Sequence, residues 1–237
     1  RTGISVNADE GSINLGAEEG SGDNRIGNVV AEEVAITTAT EGGDTRISVA
    51  GYLLAGTTGM YITTSGNTGI IDATDSNITA RNRYAINVTS TSHDSTSLTL
   101  TGEVTPGSSF SAVETNTAAG ATVTISETGS ITSGGIEFYG VAASPAPDDT
   151  FTLFGSVTGD VNMNDGDDTF NLASFDFDTV NGGDGTDTVN ITGTVSVENA
   201  IIVNNGALSG VVEFENLSID ATFSTITEPL DGWERID

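Results

Sequence analysis

The chain has 237 residues, and its 34 acidic residues outweigh six basic ones, all arginine, to give a formal net charge of −28. A surface with this charge repels nucleic acids and anionic lipids, which argues against both as partners. Cysteine is absent and His93 is the single histidine, which argues against disulfides, thiol catalysis and multi-histidine metal sites. No apolar run reaches the length of a membrane span.

The two ends of the chain are abrupt. The opening RTGISVNADEG (1–11) shows no signal peptide, and the ending LDGWERID (230–237) is equally abrupt. We therefore expect the chain to be a mature or excised piece of a larger protein.

The composition favours β-structure with many tight turns. Thirty glycines accompany abundant Thr, Ser, Asn and Val and only four prolines. The segment NVVAEEVAITTAT (28–40) comes closest to a helical pattern, but its β-branched residues and missing cap favour a strand. We therefore predict no helix.

Weak repeats run through the N-terminal half. The segment GDNRI (22–26) recurs as GDTRI (43–47) and as GNTGI (66–70), and STSLTL (95–100) and GATVTI (120–125) continue the pattern. The predicted apolar anchors, spaced 19 to 28 residues apart, are Ile26, Ile47, Ile70, Leu98, Val123, Phe151, Phe170 and Val189.

A stricter repeat follows at a spacing of 19 residues, in DDTFTL (148–153), DDTFNL (167–172) and TDTVNI (186–191). Aligning 161–171 on 180–190 gives seven identities in eleven positions. Units this short cannot bury an apolar face alone, so they must stack on their neighbours.

Stacking of these units predicts an all-β parallel β-helix, or β-solenoid, forming a single elongated domain. Coils about 4.8 Å apart would align equivalent side chains in columns, and roughly ten coils would give a rod on the order of 50 Å long. One inward column would hold Phe151, Phe170 and Val189, and the second would hold Leu153, Leu172 and Ile191. The alternative is a β-sandwich with glycine-rich loops, whose strands need not repeat in sequence.

The repeats divide the chain into three predicted zones. Irregular rungs with corner loops occupy 1–147, acidic Gly/Asp-rich rungs of period 19 occupy 148–200, and C-terminal rungs with an end region occupy 201–237.

Several segments resemble the passenger domains of bacterial autotransporters. ETGSITSGGIEFYG (127–140) and the stretch 98–125 are similar to the recurring rung of that family. LSGVVEFENLSI (208–219), followed by LDGWERI (230–236), resembles the segment that often closes such passengers. The resemblance implies a right-handed parallel β-helix exported to the bacterial cell surface, with a membrane β-barrel elsewhere in the gene product.

A second, local resemblance concerns calcium. GGDGTDTVN (182–190) fits the nonapeptide of the repeats-in-toxin proteins, and MNDGDDTFN (163–171) fits it less fully. Stacked carboxylates repel one another, and a cation with oxygen ligands such as Ca²⁺ relieves that repulsion. The alternative is that these acids are solvated turn residues. The predicted structural calcium ligands are Asp165, Asp167, Asp168, Gly183, Asp184, Gly185 and Asp187.

The sequence favours a non-enzymatic role. We expect an extracellular adhesin or stalk whose partners are a host or neighbouring cell surface or a carbohydrate, with self-association possible through the solenoid ends. Two alternatives stay open, a polysaccharide-active β-helix enzyme and a subunit of a self-assembling filament. We expect no catalytic residues, and we expect the tyrosines at 52, 61, 84 and 139 to pack between rungs.

Overall fold

A computed structural model describes the chain at residues 2–8, 13–15, 26–41, 45–65, 69–73, 76–91, 96–140, 146–193, 211–212, 216–221 and 235–236. These residues form strands and no helix, as predicted, and every strand pairing between them is parallel. A β-sandwich would need antiparallel sheets, so the all-parallel pairing confirms the β-solenoid.

The strands occupy three faces of the coil, which we call the first, second and third sheets. The first sheet contains β1 (Ile4–Ala8), β4 (Ile36–Thr40), β7 (Met60–Thr64), β10 (Ile86–Ser90), β13 (Val113–Thr117), β16 (Ile136–Gly140) and β22 (Val211–Val212). The second contains β2 (Ile13–Leu15), β5 (Thr45–Ser48), β8 (Gly69–Ala73), β11 (Thr96–Leu100), β14 (Ala121–Ile125), β17 (Thr150–Leu153), β19 (Thr169–Leu172), β21 (Thr188–Gly193), β23 (Asn216–Ala221) and β24 (Arg235–Ile236). The third contains β3 (Val29–Ala31), β6 (Tyr52–Ala55), β9 (Asn77–Ala80), β12 (Glu103–Thr105) and β15 (Ser130–Ile131).

Two further strands, β18 (Ser156–Asn162) and β20 (Asp176–Asn181), run through the third sheet into the first. In β18, Val157 pairs with β15 while Val161 pairs with β16, and the register shifts between them. Gly159 lies in this bend with φ 106°, a conformation that favours glycine. In an earlier coil, residues 106–112 form a loop between β12 and β13. In β18 and β20 one continuous strand replaces that loop, which explains why the coils there repeat every 19 residues.

The predicted inward columns are confirmed in the second sheet. Val123 pairs with Phe151, Phe151 with Phe170, and Phe170 with Val189. The rings of Phe151 and Phe170 stack with centroids 5.2 Å apart and planes inclined by 12°. The second column, Leu153, Leu172 and Ile191, is in the same register and is buried as well.

The alternate residues of these strands form a polar ladder. Asn171 donates from Nδ2 to Thr152 Oγ1 over 3.2 Å, and Asn190 donates from Nδ2 to Asn171 Oδ1 over 3.1 Å. Because side chains alternate across a strand, apolar columns line the core while these amides lie half-buried on the outside.

Two predicted anchors in the N-terminal half are wrong. Leu15 occupies the position paired with Ile47, while Ile26 forms an isolated bridge with Val49. In the next coil Ile71, and not Ile70, pairs with Ile47. The GDxRI-like stretches align by their similar turn residues, which do not fix the strand register. A register error of one residue moves a side chain to the opposite face of a sheet.

Some predictions fall outside the described residues. His93 is one of them, and the closing segments 208–219 and 230–236 are described only at 211–212, 216–219 and 235–236. There β23 and β24 continue the second sheet, with Leu217 paired to Ile236. The three-zone division stays a prediction.

The aromatic column provides the first test. Phe170→Ala should lower the free energy of unfolding by about 3–5 kcal/mol, because the ring is fully buried and its loss leaves a cavity. The matched control is Phe154→Ala, whose ring is 45% exposed and should change stability by about 0.5 kcal/mol or less. Urea unfolding of both variants measures the difference, and equal losses would contradict the assignment of the core.

Candidate functional site

The acidic turns lie at the corner between the first and second sheets. Residues 163–168 connect β18 to β19, and residues 182–187 connect β20 to β21 one coil later. Asp165 and Asp184 form a parallel bridge, as their predicted stacking requires. Gly166 donates its N–H to the Asp184 carbonyl over 3.0 Å, so backbone hydrogen bonding continues around the corner.

Asp149, Asp168 and Asp187, which we call the inner aspartates, are buried just before their strands, with exposures of 2%, 1% and 0%. Each Oδ1 accepts an N–H from the preceding coil. The donors are Ala121 N to Asp149 at 2.5 Å, Asp149 N to Asp168 at 2.7 Å and Asp168 N to Asp187 at 2.8 Å. The carboxyl groups therefore satisfy amides that strand pairing does not, which buried backbone donors require.

The adjacent aspartates bond in the opposite direction. Asp148 and Asp167 are exposed, and each accepts an N–H from the following coil. Asp167 N donates to Asp148 Oδ1 over 3.0 Å, and Thr186 N donates to Asp167 Oδ1 over 2.9 Å. Side-chain hydrogen bonds thus tie each acidic turn to the coils on both sides of it.

Burial changes the protonation of Asp149 and Asp168. Desolvation raises the pKa of Asp149 to about 7, against the lowering effect of the Ala121 amide. Desolvation likewise raises the pKa of Asp168 to about 8, assisted by the charges of Asp149 and Asp187 and opposed by the Asp149 amide. Asp168 Oδ2 is buried and has no hydrogen-bond partner among the residues that the structure describes. Both groups therefore take up protons near neutral pH.

The predicted calcium ligands separate into two environments. Asp168 and Asp187 are buried and each uses Oδ1 to accept a backbone amide, whereas Asp165, Asp167 and Asp184 are exposed. Throughout the described ranges, no group of three or more His, Cys, Asp or Glu side chains is arranged to hold a metal ion. Calcium binding stays a prediction.

The two glycines predicted to supply carbonyl ligands have a packing role. A Cβ on Gly183 would lie 1.7 Å from the Asn164 carbonyl oxygen, and one on Gly185 would lie 1.9 Å from that of Gly166. Only glycine lets these turns approach the coil beneath so closely.

A polar column that the sequence analysis missed lies on the outer side of the first sheet. The register aligns Asn87, Glu114, Glu137 and Asn162 on four successive strands. Asn87 donates from Nδ2 to Glu114 Oε1 over 2.7 Å, and Asn162 donates from Nδ2 to Glu137 Oε1 over 2.6 Å. The two glutamates lie side by side on paired strands, each with an amide on its far side.

Tyrosines flank the two glutamates. The Tyr84 hydroxyl is hydrogen-bonded to Glu114, and that of Tyr139 to Glu137. Tyr84 also packs edge-to-face on Phe110, with centroids 5.2 Å apart. Partial burial raises the pKa of Glu137, as does the charge of Glu114, while the Asn162 hydrogen bond opposes the rise. Side-chain hydrogen bonds therefore connect the two glutamates to asparagines and tyrosines on both sides.

The expectation that the tyrosines pack between rungs is wrong for three of them. Tyr52 and Tyr61 are each 45% exposed and Tyr139 is 43% exposed. Each lies on the outward side of its strand, where alternation places polar residues. The sequence pattern gave no sign of this, because the side on which a strand residue lies depends on register.

The architecture defines the class: the chain is a parallel β-solenoid protein with an acidic corner and an Asn/Glu/Tyr-bearing outer face. Comparison of the chain with protein-family models, curated proteins and solved structures finds no match. The described residues include no helix long and apolar enough to cross a membrane. Resemblance to autotransporter passengers therefore has support from the fold alone.

The inner aspartates predict an unusual pH dependence. The folded pKa values of Asp149 and Asp168 lie above the ordinary value of 3.8, so at these two groups the folded chain binds more protons than the unfolded chain. Stability should therefore fall as pH rises from about 4 to about 8. Asp168→Asn keeps an oxygen acceptor for the Asp149 amide but cannot ionise, so the melting temperature should depend less steeply on pH.

Scanning calorimetry across this pH range checks the expectation. The exposed Asp176→Asn, on the third sheet, is the control for removing one negative charge and should retain the wild-type slope. Equal slopes for wild-type and Asp168→Asn protein would show that the inner aspartates do not titrate in this range.

Proposed function

We propose that the chain is a non-enzymatic segment of an exported bacterial surface protein, where it acts as a stalk or adhesive rod. The observation that carries the proposal is the uninterrupted register of buried columns from coil to coil, as from Val123 through Phe151 and Phe170 to Val189. Each coil is bonded along its length to the next, so load along the axis is shared by many parallel hydrogen bonds.

The surface chemistry supports the same role. A net charge of −28 gives strong self-repulsion between copies, which suits an exposed β-rich segment. The outward positions of the described strands include Thr, Asn and Glu side chains and exposed tyrosines, which can meet another surface without disturbing the core. An extracellular location accords with these features and with the resemblance to passenger domains.

One observation favours a second candidate, a polysaccharide-active enzyme. Glu114 and Glu137 are paired across neighbouring strands, and strand spacing is about 4.8 Å. Retaining glycoside hydrolases hold two carboxyl groups about 5–5.5 Å apart. Here each glutamate is engaged by an asparagine amide and a tyrosine hydroxyl, which suits a fixed binding surface better than a nucleophile.

Two measurements test the surface role. Antibodies against the chain should label intact cells of the source organism as strongly as permeabilised cells. The purified chain should release no reducing ends from a panel of neutral and acidic polysaccharides. Labelling that requires permeabilisation would refute the surface location, and release of reducing ends that is lost in both Glu114→Gln and Glu137→Gln would favour the enzyme.

Calcium is a separate part of the proposal. Asp165 and Asp184 are exposed on stacked turns, one coil apart, where a divalent cation would relieve their mutual repulsion. We expect Ca²⁺ to raise the melting temperature more than Mg²⁺ at equal ionic strength, because Ca²⁺ accepts irregular oxygen cages that Mg²⁺ does not. A hundredfold excess over Kd would stabilise the fold by about 2.7 kcal/mol.

Thermal melting in Ca²⁺, Mg²⁺ and chelator measures this effect. Asp184→Asn should abolish the difference between the two cations, whereas Asp176→Asn should retain it. Identical melting in calcium and chelator would reject calcium binding without bearing on the surface role.

A further inference from the structure

Two exposed tyrosines lie on the outer side of the first sheet. Tyr61 is in β7 and Tyr139 is in β16, with exposures of 45% and 43%. Tyrosine is amphipathic, and a large exposed ring on an otherwise polar face is available for contact with a ligand. Their relative position follows from the strand register.

Tyr61 pairs with Asn87, Asn87 with Glu114, and Glu114 with Glu137. Tyr139 follows Glu137 by two residues on the same side of its strand. Three strand spacings and one two-residue step place the backbones of the two tyrosines about 14 Å apart across the sheet and about 7 Å apart along it. The resulting separation of about 16 Å leaves room for an extended ligand to contact both rings.

The surface between the tyrosines consists of hydrogen-bonding side chains. Asn87 and Glu114 lie in one column, and Thr89 and Asn116 lie in the next. Asn87 is buried and Asn116 Oδ1 is shielded from solvent, so these two groups shape the face from beneath and do not reach a ligand. Thr89 and Glu114 are partly exposed, so a hydroxyl and a carboxylate lie where sugar hydroxyls can donate and accept.

Charge restricts the type of ligand. Glu114 and Glu137 lie on this surface, while strands β7, β10, β13 and β16 contain no basic residue. Arg83, just before β10, places a positive charge near Tyr84, but the two glutamates leave an excess of negative charge that would repel an acidic sugar, a nucleic acid or an acidic protein. A neutral glycan avoids this repulsion and can use both carboxylates as hydrogen-bond acceptors.

We propose that the outer face between Tyr61 and Tyr139 binds a neutral oligosaccharide, with a pyranose ring stacked on each tyrosine and hydroxyls bonded to the partly exposed Thr89 and Glu114. The inference deepens the proposed surface role, on which it rests, by naming the ligand class and the face that binds it. The rings contact the apolar C–H faces of the sugars, and the polar side chains set their orientation.

A glycan array carrying neutral and uronic-acid oligosaccharides identifies the ligand, and titration calorimetry with the best neutral oligosaccharide measures affinity. Tyr61→Ala and Tyr139→Ala should each weaken binding at least about tenfold. Tyr52→Ala is the matched control, because Tyr52 is equally exposed, at 45%, but lies on the third sheet. It should bind as the wild type does, and melting temperatures establish that all variants fold.

Failure of wild-type protein to bind any neutral glycan, or equal loss in the Tyr52 control, would overturn the proposal. Sedimentation showing a dimer that Tyr61→Ala dissociates, together with no glycan binding, would assign the face to a second copy of the chain and overturn it as well. Chromatography of the recovered oligosaccharide distinguishes failure of the proposed surface role from failure of the proposed binding site. Cleaved sugar refutes the non-enzymatic function but leaves the site, whereas absence of binding refutes the site but leaves the surface role.

Discussion

The parallel hydrogen bonding of each coil to the next is the constraint on which the rest of the structure depends. It places chemically equivalent residues directly above one another, so each sequence position determines the environment of a whole column. Apolar columns gain burial from this arrangement, as Phe151 and Phe170 show with stacked rings. The same alignment would concentrate like charges wherever acids repeat, so acidic columns need a separate solution.

At the acidic corner, backbone hydrogen bonds and protonation of the buried carboxyl groups reduce the repulsion between stacked aspartates. Asp149 and Asp168 are buried in register, accept amides of the preceding coil and have pKa values raised by desolvation. A protonated carboxyl group avoids most of the repulsion and burial cost that a carboxylate would suffer there. The corner therefore holds a regular acidic repeat without needing a basic partner in a chain that has only six.

The outer face of the first sheet follows the same geometry with different chemistry. Alternation within each strand places one residue on the outer side of the sheet and the next in the core. Asn, Glu and Tyr side chains therefore meet on the outer side. Neighbouring members of this column are 23 to 27 residues apart in the sequence. A rigid backbone fixes their spacing. The proposed recognition of an extended, hydroxyl-rich ligand depends on this fixed spacing, as the proposed stalk role depends on the buried columns.

The sequence by itself determined the fold class and the columns of the acidic zone, because a 19-residue period with Phe151, Phe170 and Val189 in register leaves little freedom for pairing. It also placed Asp165 over Asp184. Only the tertiary structure decided the irregular coils, where loops of variable length hide the register and Ile70 was mistaken for Ile71. It alone brought Glu114 beside Glu137 and exposed Tyr61 and Tyr139, because contacts across coils depend on register, which local sequence does not encode.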